Sequence, residues 1–172
     1  PCISGSRGSG AVFFSGCPLG CLYCQNFRLS RGAEGEEIGT ERLAEIFREL
    51  EEQGVHNLNL VTGTQFVPEI LEALELARPG IPVAWNSSGY ERRETLRALA
   101  PYVKIWMPDM KYALPDCAAR YSRAPDYPAA ARAAVEEMFR LSGPYELGED
   151  GLLRRGVLIR HLVLPGQLEN TR

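Results

Sequence analysis

No apolar stretch in the 172 residues approaches the roughly 20 consecutive positions that a membrane-spanning helix requires. Apolar runs are short: Val157 to Ile159 and Leu162 to Leu164, for example, are separated by Arg160 and His161. A block of like charge is missing as well: 19 basic residues stand against 22 acidic ones, and neither sign forms a stripe that would track phosphates. Neither a membrane nor a nucleic acid is therefore an expected partner. The opening Pro-Cys-Ile-Ser-Gly-Ser-Arg-Gly lacks the basic start and apolar core of a secretory signal, so the expectation is a cytoplasmic protein. Internal repeats and low-complexity tracts are lacking too. The cysteines do not form an even set: there are five, and three of them crowd into one short stretch. That layout is poor for structural disulfides and good for a metal site in a reducing compartment.

What is there is an alternation of strand-like and helix-like segments, the pattern of a parallel sheet with crossover helices. Ala11 to Phe14 reads as a first strand. Thr40 is positioned to cap a helix running to about Gln53, with Leu43, Ile46, Phe47 and Leu50 on one face and Gly54 as the stop. Leu58, Leu60 and Val61 form a second strand, and Pro68 opens a helix that buries Ile70, Leu71, Leu74 and Ala77. Ile81 to Trp85 is a third strand, Glu91 to Leu99 a short helix, and Val103 to Met107 a fourth strand. A helix over Ala130 to Leu141 then precedes a fifth strand over Val157 to Leu164. In such sheets ligands collect at the carboxyl ends of the strands. The expected loops there are small and polar: Ser15-Gly16-Cys17, Thr62-Gly63-Thr64-Gln65, Asn86-Ser87-Ser88-Gly89, Pro108-Asp109 and Pro165-Gly166.

Cys17, Cys21 and Cys24 have Cys-x3-Cys-x2-Cys spacing directly after a strand. A cluster that only carries electrons takes four thiolates. Three thiolates on a cubane leave one iron open to a substrate or cofactor, which means chemistry at the cluster. Gly20 lets the backbone curl around the inorganic core. The competing reading is a structural zinc completed by His56, His161 or another cysteine, although paired Cys-x2-Cys knuckles are absent. Cys2 and Cys117 read as ordinary thiols.

The segment from Gly8 to Asn26, with Tyr23 immediately before the third cysteine, resembles the signature of the radical S-adenosylmethionine (SAM) superfamily. The later segments are similar to proteins related to pyruvate formate-lyase activating enzyme. They are Asn57 to Thr62, Asn86 to Tyr90, Met107 to Tyr112, Arg120 to Ser122, Asp126 to Pro128 and Arg160 to Gly166. The resemblance implies an α/β fold: a partial (β/α) barrel with parallel strands inside and helices outside. It also implies a single core domain over residues 1–172, expected to be incomplete.

By the same resemblance the cofactors are a 4Fe-4S cluster on Cys17, Cys21 and Cys24 and SAM chelated to the open iron. Reductive cleavage of SAM then yields a 5'-deoxyadenosyl radical that abstracts hydrogen. The implied partners are an electron donor such as flavodoxin or ferredoxin and a glycyl-radical protein; a peptide or small-molecule substrate is the alternative. The cluster should work towards the low end of the roughly −700 to +450 mV span of iron-sulfur centres.

The implied cofactor contacts begin with Tyr23 and Asn26, along the adenine and cluster edge. Thr62, Gly63 and Thr64 stand where many relatives carry a Gly-Gly-Glu-Pro-type motif for the SAM amino group, so here the charged partner is missing. Asn86, Ser87, Met107 and Asp109 match a monovalent-cation and SAM-carboxylate region, with Asn in place of an acidic residue. From the residues themselves, Asp109 and Lys111 are expected to point to opposite faces of an extended segment. Arg160, interrupting a hydrophobic strand, requires an anionic partner, with the SAM carboxylate or ribose as candidates. His161 reads equally as a core histidine or a ligand, and Trp85 and Trp106 read as core. Tyr90, Arg120, Tyr121 and Asp126 either face a substrate or organise loops.

Overall fold

The computed structural model describes residues 2–171; Pro1 and Arg172, the bounds of the expected domain, lie outside the described residues. In chain order the elements are β1 (Gly10–Phe13), α1 (Phe27–Ser30), α2 (Thr40–Glu52), β2 (Leu58–Val61), a 3-10 turn (Thr64–Phe66) and α3 (Val67–Ala77). They continue with β3 (Val83–Ser87), α4 (Arg93–Leu99), β4 (Val103–Pro108), α5 (Pro115–Ser122), α6 (Tyr127–Ser142), β5 (Glu146–Leu147), β6 (Leu153–Val157) and a closing 3-10 turn (Leu168–Thr171).

The strands form an open six-stranded sheet in the order β1-β2-β3-β4-β6-β5, parallel throughout except for the β5–β6 hairpin. This is the expected partial barrel, not closed.

Alternation along the strands gives the sheet two unlike faces. Leu58, Leu60, Val83, Trp85, Val103 and Trp106 point outward into the main core, against Phe47, Ile70, Leu74, Leu96 and Met138 from the helices. Both tryptophans are fully buried there, as their strand positions imply. The inner face carries Ala84, Ile105, Met107 and Leu153, with Ile3 and Leu158 packed over them. The amino-terminal segment lies across this region: Leu153 N–H donates to the Cys2 carbonyl at 2.7 Å and Asn57 Nδ2 to the Ile3 carbonyl at 2.8 Å. A third apolar cluster gathers Leu19, Cys21, Tyr112, Cys117, Ala118, Tyr127 and Leu164 beside the cysteine loop.

Three expectations need correction. Gly39, not Thr40, caps α2; Thr40 is already helical, and its hydroxyl reaches the Glu41 carboxylate rather than a backbone N–H. The helix after β3 begins at Arg93 rather than Glu91, because Glu91 is drawn under the loop instead. The last parallel strand is Leu153–Val157, not Val157 to Leu164: it pairs with β4 only through Ile105 with Gly156 and Trp106 with Val157. Beyond Val157 the chain runs alongside the end of β4 in a single bridge between Asp109 and Arg160. The apolar side chains Ile159, Leu162 and Val163, which look like a strand in sequence, are about half exposed.

Candidate functional site

The carboxyl ends of β1 to β4 open onto one cavity of about 540 Å³, within the usual size range of small-molecule sites. Cys17, Cys21 and Cys24 line it, together with Tyr23 and Asn26 from the same loop, Thr62 after β2, Asn86 and Ser87 at the end of β3, Asp109 after β4, and Arg160. Two residues of the expected set stay behind the wall. Gly63 is buried, and a Cβ there would lie 2.6 Å from Ile70 Cδ1 and 3.0 Å from Trp85 Cη2, so glycine is the residue that fits. Thr64 turns its hydroxyl away from the cavity, donating to Glu91 Oε1 at 2.9 Å.

The cysteine loop is shaped by Gly16 and Gly20, both in the left-handed region at φ of 85° and 56°. Gly16 N–H donates to the Leu29 carbonyl at 2.8 Å, Leu22 N–H to the Tyr121 carbonyl at 2.9 Å, and Arg31 Nη2 to the Gly20 carbonyl at 2.8 Å. Gln65 adds a tie from outside the loop: its Nε2 lies 2.8 Å from the Ser15 carbonyl, 3.1 Å from that of Gly16 and 2.9 Å from that of Thr62. Thr62 itself sits at φ 59°. For a β-branched residue this is strained, at a cost of order 1–3 kcal/mol that the surrounding contacts must offset.

Tyr23 packs edge-on against Tyr112 and Tyr121, with ring centroids 6.3 and 6.1 Å away. Its hydroxyl is buried without a hydrogen-bond partner, and burial holds the phenol far above its ordinary range. Burial likewise pushes Tyr112 up to about 12.

A charged group stands at the β4 end of the cavity. Asp109 Oδ1 is 2.8 Å from Arg160 Nη2, Asp109 Oδ2 is 2.6 Å from Lys111 Nζ, and Arg160 Nη2 also donates to Asn86 Oδ1 at 2.6 Å. The anionic partner that Arg160 requires is thus Asp109. Asp109 and Lys111 do not point to opposite faces. Residues two apart on an extended segment share a face, and both line the cavity. His161 donates Nδ1–H to the Met110 carbonyl, which leaves Nε2 to accept from the Thr171 hydroxyl at 3.1 Å. With both ring nitrogens engaged, it is a structural histidine beside the cavity. His56 lies before β2, at the opposite end of the strand, where Arg7 contacts both its ring nitrogens. Pro165-Gly166 does not line the cavity; the stretch Arg160–Leu162 takes its place.

Three residues matter here that the sequence reading did not single out. Gln65 bridges two loops. Tyr127 Oη sits 2.7 Å from the Ser88 carbonyl and 2.8 Å from that of Asp109, and accepts from Lys111 N–H at 3.0 Å, joining the ends of β3 and β4. Glu91 is only 5% exposed, and burial pushes its carboxyl up to about 7, against the opposing hydrogen bond from Thr64. The one sequence signal for Glu91 is its position just past the small-residue turn Asn86 to Gly89, where it reads as the start of a helix.

The three thiols are free and all line one cavity. Among the described residues, no three His, Cys, Asp or Glu side chains converge closely enough to share a single ion. A zinc needs its donors within about 2.0–2.3 Å of one point, whereas a cubane takes each thiolate on a different iron. The donor set therefore fits a cluster.

The chain belongs to the radical SAM superfamily, whose family model matches residues 11–170. Proteins of this superfamily typically bind a 4Fe-4S cluster and SAM. Among curated proteins, the chain is 27% identical over 170 residues to the uncharacterized protein MJ0674 of Methanocaldococcus jannaschii, covering 94% of this chain and 46% of that protein. The chain thus spans about half the length of the relative it matches. Among the described residues, no helix is long and apolar enough to cross a membrane.

Proposed function

We propose that Cys17, Cys21 and Cys24 hold a 4Fe-4S cluster and that SAM binds across the cavity. In this reading the chain acts as a radical SAM enzyme of the activating-enzyme type, with a glycyl-radical protein as the partner it modifies. A donor such as flavodoxin or ferredoxin supplies the electron. The observation that carries the proposal is the placement of three free thiols and a fixed charged patch on the lining of one cavity.

When bound, the two cofactors supply one-electron cleavage chemistry that leads to hydrogen abstraction. The protein's part is to hold and aim. Thr62 presents backbone carbonyl character to an ammonium, which only donates. Lys111 and Arg160 around Asp109 leave one net positive charge, suited to a carboxylate. Tyr23 and Asn26 supply the edge against which a purine rests. The carboxyl-end position of every one of these residues is where parallel sheets bind ligands.

The test is anaerobic reconstitution followed by iron and sulfide analysis and electron paramagnetic resonance. The expected result is about four irons per chain and a reduced-cluster signal that changes on adding SAM. Substituting any one of Cys17, Cys21 or Cys24 by Ala should abolish SAM cleavage in a chain that still folds. Retained cleavage in all three variants, or stoichiometric zinc in place of iron, would overturn the assignment.

A further inference from the structure

We propose that Glu91 is a positioning residue for the Thr62–Gln65 loop: from the interior it fixes the Thr64 hydroxyl, and through it the setting of Thr62, the residue of that loop that lines the cavity. The inference rests on the reading of the cavity as a SAM site.

Besides the ties of Gln65 to the Ser15 and Gly16 carbonyls, three hydrogen bonds set the loop. Thr62 N–H donates to the Asn86 carbonyl at 2.9 Å, Gln65 Nε2 reaches the Thr62 carbonyl at 2.9 Å, and Thr64 Oγ1 donates to Glu91 Oε1 at 2.9 Å. The first two hold the strained residue itself. The third fixes the turn that follows, and it is the one made by a side chain from the interior. Thr64 sits on the 3-10 turn leading into α3, so releasing it frees the stretch between Thr62 and the helix.

Glu91 is costly where it stands. Its side chain is buried, its Oε2 has no hydrogen-bond partner, and the nearby indole Nε1 of Trp85 is likewise buried without one. The groups around it are Thr64 from the turn, Ser87 and Trp85 from β3, Asp109 beyond β4 and Tyr127 from α6. Lys111 and Arg160 are engaged by Asp109, and among the described residues Glu91 forms no ion pair. A buried acid with one satisfied oxygen is poor packing, and an apolar side chain would serve the core better. Its one direct tie to the loop is Thr64. Glu91 does not line the cavity, and the Thr64 hydrogen bond is the contact by which it bears on that loop.

The experiment titrates SAM into the reduced, cluster-bearing protein and reads the dissociation constant from the change in the paramagnetic signal. Glu91→Ala should weaken SAM by about 10–100-fold, the usual penalty for removing a residue that orients a contacting group, with iron and sulfide content unchanged. Glu91→Gln keeps an acceptor for Thr64 and should stay within about threefold of wild type. Thr64→Val should match Glu91→Ala, and the double variant should be no worse than either single one, since both remove the same link.

In the metal-free protein, hydrogen–deuterium exchange of the Gly63–Gln65 amides should accelerate in Glu91→Ala while the β3 and β4 amides stay protected. Unchanged SAM affinity in Glu91→Ala, additive losses in the double variant, or loss of iron in Glu91→Ala would each overturn the proposal. A wild-type protein whose cluster signal ignores SAM would overturn the reading of the cavity itself, which separates the two failures.

Discussion

Glu91 also sets a pH dependence that can be worked out in sign. Burial raises its carboxyl from the ordinary 4.5 to about 7, so the folded chain keeps a proton that the unfolded chain has already released. The associated stability is complete below pH 4.5, declines as the pH rises towards 7, and is then gone, a change on the order of 3 kcal/mol. The predicted outcome is that wild type, measured by urea denaturation, loses stability relative to Glu91→Gln by that order between pH 4.5 and 8. A difference that stays flat would show that the carboxyl titrates normally. Sequence alone does not disclose this, because a glutamate beside a Gly-Tyr turn looks like a solvated helix start. The three cysteines were legible for the opposite reason: their spacing is itself the chemical signal, whatever surrounds them. Gly89 illustrates what lies between these cases. It reads as a turn residue, but only the structure shows that a Cβ there would meet the Asp109 carbonyl oxygen at 2.4 Å, at φ 74°.

At the scale of elements, the regular part of the fold was readable and the irregular part was not. The helices α2 and α3 and the strands β1 to β4 follow from periodicity and from the glycines and prolines that bound them. The last strand was misplaced because Val157 to Leu164 is apolar enough to mimic one. The true strand, Leu153–Val157, carries Arg154 and Arg155, which point to solvent and pair with Asp150 and Glu146. Helix α5 also escaped notice, since its eight residues from Pro115 to Ser122 are too few for a periodic signal. The join between β3 and β4 rests on α6 through one hydroxyl, that of Tyr127, which contacts Ser88, Asp109 and Lys111. Tyr127→Phe leaves the Lys111 N–H and two carbonyls short of a partner and should destabilise the chain by about 1–3 kcal/mol. The check is a denaturant midpoint, and a shift below a few tenths of a kcal/mol would mean that water replaces the hydroxyl.

For the whole molecule, the asymmetry of the sheet decides where function goes. One face is filled by helices, while the inner face is packed at its lower part by Ile3, Ala84, Ile105 and Leu153 and left open at the carboxyl ends. The cysteine loop joins several parts of the fold. It contacts α5 through Leu22 and Tyr121, and its Cys21 and Leu19 sit in the same apolar cluster as Tyr112, Ala118 and Tyr127. A cluster that binds only the folded chain should therefore stabilise all of these together. Anaerobic loading is predicted to raise the thermal midpoint by about 5–10 °C, as expected for a ligand well above its dissociation constant. No shift on loading would mean that the iron sits elsewhere.

The amide of Gln65 ties the turn after β1 to the bend after β2, and it is exposed. A rivet that water can reach is one that can be undone without melting the fold. While it holds, the stretch before Cys17 and the bend at Thr62 share one side-chain clasp, so a substitution that removes the Gln65 amide leaves both without it.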